Sequence, residues 1–197
     1  YGARDRLDER FDMVRTVRSR THRYVRNLMP WRPALQHVAY GEQNEILREM
    51  RKLLAAGELV PPSSQWFQSP RAAEELYDLE KDPWELVNLA NDPTHKSTLE
   101  KLRAECDRWQ IEVRDVHLLP EIMLDEAERE YGSRWKTFQG DEGKRRIQRL
   151  LEAAKQTSHL DPITATTVSG QLDIDPAVRW WQLNLLGRAG NAKQFAD

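Results

Sequence analysis

Apolar and polar residues alternate in two short segments near the start of the sequence, residues 13–18 and 22–28. This alternation predicts two half-buried β-strands, and the three polar residues between them predict a hairpin. Pro30 and Pro33 end the pattern, because proline lacks the amide hydrogen that a sheet requires. A further short strand is predicted at residues 75–79, where a turn-forming segment follows directly.

Apolar residues at steps of three and four predict helices in the rest of the chain. One is predicted over residues 42–56, with Gly57 at its C-cap. The clearest helix follows Asp92, a good N-cap residue, and Pro93, which suits the first helical turn. Its apolar positions are Leu99, Leu102, Cys106, Trp109 and Val113. The pattern places Cys106 in the interior as a small hydrophobic residue and not as a reactive thiol.

Charged residues dominate after Pro120, and glycines at positions 132, 140 and 143 indicate a domain boundary in that region. Helices are then predicted over residues 145–156, 162–172 and 176–189. The last two begin with Asp-Pro, which combines an N-cap with a first-turn residue and suggests paired helices of a repeat type. The sequence thus predicts a first domain over residues 1–130, a linker over 131–142 and an incomplete helical repeat region over 143–197.

The charge of the chain is unevenly distributed. The 197 residues carry a net charge of −2, but residues 1–30 contain eight arginines, no lysine and four acidic residues, or 8 − 4 = +4. The planar guanidinium group suits bidentate recognition of carboxylate, phosphate or sulfate. The arginines therefore form either a solvated strand face or an anion site. The acidic remainder argues against nucleic acid as a partner, and no apolar run is long enough to span a membrane.

Local motifs for chemistry are missing from the sequence. The five histidines lie at least 15 residues apart, so a local zinc motif is not expected, and the glycines do not form a phosphate-binding loop. The sequence begins at Tyr1 without a leader, and we expect it to be a piece of a longer chain. From these residues alone, we expect no metal or cofactor bound by this chain.

Two segments nevertheless resemble the sulfatase family. The run R-D-R-L-D-E-R-F-D-M-V-R-T-V-R at residues 4–18, followed by Y-V-R-N-L-M-P at residues 24–30, is similar to the start of its C-terminal subdomain. The nearest branch is that of the bacterial N-sulfoglucosamine sulfohydrolase or heparan-sulfatase-like enzymes. Residues 75–90 are similar to the family signature E-L-Y-D-L-x-x-D-P-x-E-x-x-N-L-A. Residues 144–190 resemble a HEAT repeat, which some sulfatase-like chains append.

This resemblance implies an α+β fold, in which a small antiparallel sheet packed by a long helix precedes an all-α HEAT-like extension. It implies the C-terminal portion of an enzyme that hydrolyses sulfate esters or sulfamates of sulfated glycans such as heparan sulfate. The family's Cys- or Ser-x-Pro-x-Arg segment, whose first residue becomes formylglycine, does not occur here, since Asp107 and Arg108 follow Cys106. We expect formylglycine and calcium in a missing N-terminal domain, no catalytic residue in this chain, and no activity of the chain alone.

The resemblance also implies roles for individual residues. Arg4 and Arg6 are expected to contact an anionic group of the substrate, while Asp5 and Asp8 orient those guanidinium groups or accept sugar hydroxyls. A structural role is expected for Leu76, Tyr77, Asp78, Asp82, Pro83, Asn88 and Trp109.

The expected partners are the N-terminal sulfatase domain, a sulfated carbohydrate and a protein bound through the helical repeats, in a periplasmic or secreted setting. The alternative is an α-helical repeat module for protein–protein interaction, in which Trp180 or Trp181 anchors the partner while the other lies in the core.

Overall fold

The computed structural model describes residues 1–160, 165, 168 and 171–194, with side chains as far as residue 190. These residues form two compact units, Tyr1–Leu102 and Arg103–Asp197. The two units divide between Leu102 and Arg103, whereas the sequence predicts a domain boundary at residue 130. The predicted boundary stays a prediction. Most of the helix predicted over residues 162–172 lies outside the described residues.

The first unit is built on a four-stranded antiparallel sheet. Its strands are β1 (Gly2–Arg4), β2 (Val14–Arg18), β3 (His22–Asn27) and β4 (Glu74–Asp78), in the spatial order β1-β2-β3-β4. The predicted hairpin and the predicted later strand therefore lie in one sheet, as expected, whereas β1 was not predicted. With the helices described below, the sheet confirms the α+β class.

Three rows of side chains cross the buried face of this sheet. Val17 pairs with Tyr24, and Tyr24 pairs with Leu76, so these three buried side chains form an apolar middle row. Burying side chains of this size stabilises a fold by about 1.5–3 kcal/mol each. The row toward one end contains Arg15, Arg26 and Glu74, and the row toward the other end contains His22 and Asp78.

The two arginines of this row are buried and have polar partners. Arg15 donates from Nη1 to Oδ1 of Asp5 at 2.9 Å, and Arg26 donates from Nε to the Tyr24 hydroxyl at 3.1 Å. That hydroxyl in turn donates to Oε1 of Glu74 at 2.5 Å. Because buried charges need such partners, this end of the sheet is a hydrogen-bonded polar layer.

Helix α1 (Glu45–Ala56) lies in the long connection between β3 and β4. The side chain of Asn44 accepts a hydrogen bond from the Ile46 amide at 2.9 Å, and Gly57 ends the helix in the left-handed conformation. The helix confirms the prediction, but its apolar side chains remain accessible, and Ile46 is 72% exposed.

Helix α2 (Lys96–Glu112) begins after a turn that Asp92 caps by accepting from the Thr94 amide at 2.8 Å. The predicted apolar positions are buried from Leu99 to Cys106. Trp109 is half-buried, and Val113 is 44% exposed, so the prediction is wrong at its last position. The reason is that the helix ends at Glu112, and the helical period does not extend to Val113.

The second unit contains helices α3 (Glu121–Tyr131), α4 (Gly140–His159) and α5 (Pro176–Gln194). Helix α4 packs against α5, where Trp181 is fully buried and donates from Nε1 to the Leu118 carbonyl at 2.9 Å. Trp180 is half-buried and meets Trp181 edge to face, so one tryptophan of the pair lies in the core, as predicted. In the described part of the chain, no helix is long and apolar enough to cross a membrane.

The predicted linker at residues 131–142 contains a short 3-10 helix, Arg134–Phe138, that contacts both α3 and α4. Phe138 at its end is fully buried and anchors this largely exposed segment to the second unit. Asp175 caps the start of α5, where its Oδ1 accepts from the Ala177 amide at 2.9 Å. Its Oδ2 accepts from Nε of Arg146 at 2.7 Å. Burial alone would raise the pKa of Asp175, but the hydrogen bonds from Arg146 and from the Ala177 amide hold it below its usual range.

Gly143 provides a test of the packing between α4 and Phe138. A Cβ atom at this position would overlap the backbone of Phe138 and lie 2.6 Å from its Cα. We expect Gly143→Ala to destabilise the chain by about 1–3 kcal/mol, because backbone atoms cannot rotate away as a side chain can. Urea unfolding of the purified chain measures this change.

The matched control is Gly187→Ala in helix α5, where nothing lies within 4 Å of the added Cβ. That change should stabilise the chain by up to about 1 kcal/mol, since alanine has the higher helix propensity. Equal effects of the two substitutions would contradict the packing described here.

Candidate functional site

A buried carboxylate organises the arginines at the start of the chain. Asp12 is fully buried, and its Oδ1 accepts from the Met13 amide at 2.8 Å. Its Oδ2 accepts from Nη2 of Arg4 at 2.7 Å, and its Oδ1 accepts from Nη2 of Arg71 at 2.5 Å. One carboxylate thus holds two guanidinium groups that come from distant parts of the sequence.

A third arginine, Arg10, lies in the same electrostatic environment. Burial lowers the pKa of Arg10, the positive charges of Arg4 and Arg71 lower it further, and the negative charge of Asp12 opposes them. We define the arginine cluster as Arg4, Arg10 and Arg71 around Asp12. Three guanidinium groups against one carboxylate leave an excess charge of 3 − 1 = +2.

The arginine cluster has unused hydrogen-bond donors. The Nε atoms of Arg4, Arg10 and Arg71 are buried and have no hydrogen-bond partner among the described residues. The side chain of Arg4 is 38% exposed, against 10% for that of Arg71. The cluster therefore combines excess positive charge, free donors and access to solvent, which is the chemistry of an anion-binding site.

Local backbone geometry positions each arginine. Arg4 ends β1, where it pairs with Val14 of β2. A tight turn positions Arg10, since its amide and carbonyl exchange two hydrogen bonds of 2.9 Å with Leu7. The amide of Arg71 donates to the Pro30 carbonyl at 2.9 Å, which fixes the chain just before β4.

The four residues that the resemblance assigns to substrate binding make different contacts. Arg4 belongs to the arginine cluster, whereas Asp5 pairs with Arg15 at 2.9 Å. Arg6 and Asp8 are exposed, and Nε of Arg6 donates to the Asp8 carbonyl at 3.2 Å. Arg10 and Arg71 were not predicted as site residues. Arg10 is one of the eight arginines in residues 1–30, and no sequence pattern distinguishes it from the others. Arg71 lies far from them in the sequence.

The signature segment at residues 75–90 forms hydrogen bonds within its own turns. Oδ1 of Asp78 accepts from the amides of Glu80 and Lys81, and Oδ2 of Asp82 accepts from those of Leu86 and Val87. Oδ1 of Asn88 accepts from the Leu76 amide at 3.0 Å. These contacts hold the chain that follows β4 in place.

Tyr77 and Pro83 lie in the same segment. The hydroxyl of Tyr77 donates to Oε2 of Glu75 at 2.8 Å. Burial of the ring, together with the nearby negative charge of Glu75, raises the pKa of Tyr77 far above its usual value, so the phenol stays neutral. Pro83 is exposed.

A second group of side chains, His22, Asp78 and His95, could hold a metal ion. Their nearest ligand atoms lie within 4.8 Å of one another, although the residues are far apart in sequence. Sequence reasoning missed this group because it searched for histidines close together along the chain. The signal that could have found it is the predicted pairing of the strands that carry His22 and Asp78.

Comparisons with known proteins give a relation over part of the chain. Over 124 residues, or 63% of this chain, it is 38% identical to an ulvan-active sulfatase of Formosa agariphila. Over 57 residues, or 28% of this chain, it is 44% identical to the human N-sulphoglucosamine sulphohydrolase. No protein-family model matches the chain. Part of this chain is therefore related to sulfatases, as its motifs predicted.

The matches cover 21% of the first relative and 11% of the second, so the chain spans about a fifth or less of the length of these curated relatives. These comparisons do not show a HEAT repeat, which stays a prediction.

The role of Asp12 can be tested by the substitution Asp12→Asn. The amide side chain still accepts from the Met13 amide, but the counter-charge for the arginine cluster is lost. Breaking a buried ion pair of this kind costs about 3–5 kcal/mol, and we expect a loss of this size in the free energy of unfolding. Urea unfolding monitored by circular dichroism measures it.

Asp8→Asn is the matched control, since Asp8 is exposed and asparagine tolerates its positive φ of 48°. Its effect should stay within about 0.5 kcal/mol. If both substitutions leave stability unchanged, Asp12 does not organise the cluster.

Proposed function

We propose that this chain is the C-terminal portion of a sulfatase that acts on sulfated glycans, and that it forms one rim of the substrate cleft. In this proposal the arginine cluster binds an anionic group of the substrate, a sulfate or a uronate carboxylate. The observation that carries the proposal is the excess positive charge of the cluster together with its unused buried donors. The relation to sulfatases over 63% of the chain supports the substrate class.

The electrostatics favour an anionic ligand at this place. Asp12 neutralises one of three guanidinium groups, and partly buried like charges repel one another strongly because solvent screens them poorly. A bound sulfate would offer acceptor oxygens to the free Nε donors and offset the remaining charge. Arg4, which is partly exposed, is the member of the cluster that an incoming ligand would meet first.

The other early residues act around this cluster in the proposal. Asp5 acts through Arg15, whose guanidinium it holds, and is therefore a positioning residue. Arg6 and Asp8 lie on an exposed turn, where they would contact charged groups or hydroxyls of a neighbouring sugar.

The remainder of the enzyme supplies the chemistry in this proposal. The formylglycine nucleophile and the calcium ligands belong to a large N-terminal domain that packs against this chain. The first unit has several large apolar side chains on its surface, which the N-terminal domain would cover in this proposal. They include Tyr40, Ile46, Val60 and Trp84, which are 68–81% exposed. The family relation also supports a periplasmic or secreted location for the full-length protein.

Arg10→Ala in the full-length enzyme is the sharpest test of the substrate contact. The Arg10 side chain has no hydrogen bond or ion pair with the described residues, so its removal should leave the fold intact. We expect kcat/KM for a sulfated oligosaccharide to fall about 30-fold or more, because a buried charged hydrogen bond is worth about 2 kcal/mol or more. Arg10→Lys should restore part of this loss, since lysine keeps the charge but lacks the planar fork.

Arg20→Ala is the matched control, because Arg20 is an exposed arginine in the turn between β2 and β3. Its loss should change kcat/KM little. If Arg10→Ala and Arg20→Ala show the same small losses that fade in high salt, the cluster is a solvated basic surface and the substrate contact is refuted.

The isolated chain is expected to be inactive, since the proposal places the nucleophile and the metal ligands elsewhere. Purified residues 1–197 should not hydrolyse an aryl sulfate or a sulfamate, with or without calcium. Release of sulfate measured by ion chromatography checks this. Turnover that disappears when one residue of this chain is changed would show a catalytic group within it.

A second role is proposed for the helical second unit as a surface for a protein partner. The observation that favours it is exposed apolar side chains near and on α5, with Ile174 90% and Leu183 52% exposed. This role is compatible with the enzyme proposal, because it uses a different part of the chain.

A further inference from the structure

The group formed by His22, Asp78 and His95 belongs entirely to the first unit and plays no part in the proposed substrate contact. His22 begins β3, Asp78 ends β4, and His95 closes the turn that precedes α2. Three separate elements therefore bring one potential ligand each to the same place. The nearest ligand atoms of the three side chains lie within 4.8 Å of one another.

Strand pairing fixes two of the three side chains. His22 and Asp78 are directly opposite each other in the antiparallel pair of β3 and β4, so their side chains project from the same face. The amide of Leu79 donates to the Thr21 carbonyl at 2.8 Å and holds this end of the pair together. The spacing of these two ligands is thus a property of the sheet and not of flexible loops.

Both histidine rings are held through their Nδ1 atoms. Nδ1 of His22 lies 2.9 Å from the Thr21 hydroxyl. Nδ1 of His95 lies 3.0 Å from the Thr94 hydroxyl and 3.4 Å from Oδ2 of Asp92. Outer contacts of this kind orient the rings of histidines that bind metals through their other nitrogen.

The remaining nitrogen of His22 is an unusual feature of the group. Nε2 of His22 is buried and has no hydrogen-bond partner among the described residues. A buried polar atom without a partner costs about 1–3 kcal/mol, so such atoms call for a physical reason. A metal ion bound to this nitrogen would supply one.

Asp78 is prepared as the third ligand. Its Oδ1 is occupied by the amides of Glu80 and Lys81, which fix the orientation of the carboxylate. The Lys81 ammonium group lies 3.5 Å from Oδ2 of Asp78. The Lys81 side chain is 83% exposed, so it is free to turn toward solvent. One oxygen therefore anchors the carboxylate while the other is available to a cation.

We propose that His22, Asp78 and His95 form a binding site for a divalent transition metal of the Zn²⁺ class. Two imidazoles and one carboxylate are a donor set that suits Zn²⁺, whereas Ca²⁺ and Mg²⁺ prefer oxygen ligands alone. Zinc–nitrogen bonds of about 2.0–2.1 Å place tetrahedral ligand atoms roughly 3.4 Å apart, so small side-chain rotations close the group around the ion. The fourth position is left for water.

The site would join β3, β4 and the start of α2 through one ion. The proposal rests on the residues of this chain alone and is independent of the sulfatase assignment. It replaces the expectation from sequence that no metal is bound by this chain.

Zinc titration of the chelator-treated, tag-free chain by calorimetry tests the proposal. We expect one Zn²⁺ per chain and a higher melting temperature with Zn²⁺. His95→Gln should lower the affinity at least about 10-fold, as even outer-shell changes do at metal sites. Asp78→Asn should lower it similarly while keeping an acceptor for the two backbone amides, so loss of folding would not explain the result.

His37→Gln is the matched control, because His37 is an exposed histidine of the same unit and lies outside the group. It should leave the affinity unchanged, and Co²⁺ should give the visible absorption bands of tetrahedral coordination in the unaltered chain and in this control. Absence of saturable binding at a 1:1 ratio would overturn the proposal. Equal affinities of the unaltered chain, His95→Gln and Asp78→Asn would do the same.

Discussion

The arrangement of the first unit depends on the buried carboxylate of Asp12. It joins Arg4 at the end of β1 to Arg71 before β4, and it lies close enough to Arg10 to offset part of the repulsion among the three guanidinium groups. Burying a carboxylate carries a large desolvation cost, so such a pair contributes less to stability than to defining one arrangement of the chain. Here that arrangement directs three arginines to the same place.

The apolar middle row of the sheet separates two polar ends with different chemistry. Val17, Tyr24 and Leu76 exclude water between the row that contains Arg15 and the row that contains His22. One end of the face therefore carries two guanidinium groups, and the other presents the imidazole of His22 beside the carboxylate of Asp78. A single four-stranded sheet can thus carry two unlike groups of polar side chains, because strand register keeps them apart.

Local patterns predicted most of the elements of this fold. Strands β2 and β3, helix α1 and the cap at Asp92 follow from alternation, helical spacing and capping chemistry, which act within a few residues. Strand β1 has three residues, too few to show a pattern. The exposure of Val113 was missed because a periodic pattern does not show where a helix ends.

The candidate sites were harder to predict because they depend on contacts between distant residues. The resemblance pointed to Arg4, but Arg71 joins it only through the pairing of the chain before β4. His22 and His95 likewise meet through strand register and the turn before α2. Residue type shows what a side chain can do, but its partners depend on register and packing, which were not determined by the local sequence.

The long connection between β3 and β4 has a consequence for the order in which the chain folds. Strands β1 to β3 are joined by short segments, whereas residues 28–73 must close into a loop before β4 can pair with β3. Closing a long loop delays such pairing, since its entropy cost precedes any contact that rewards it. Arg71 lies near the end of this loop, and Asp78 lies in the strand that follows it. The arginine cluster and the histidine group are therefore completed late in folding, and a nascent chain that ends before Arg71 contains neither of them in full.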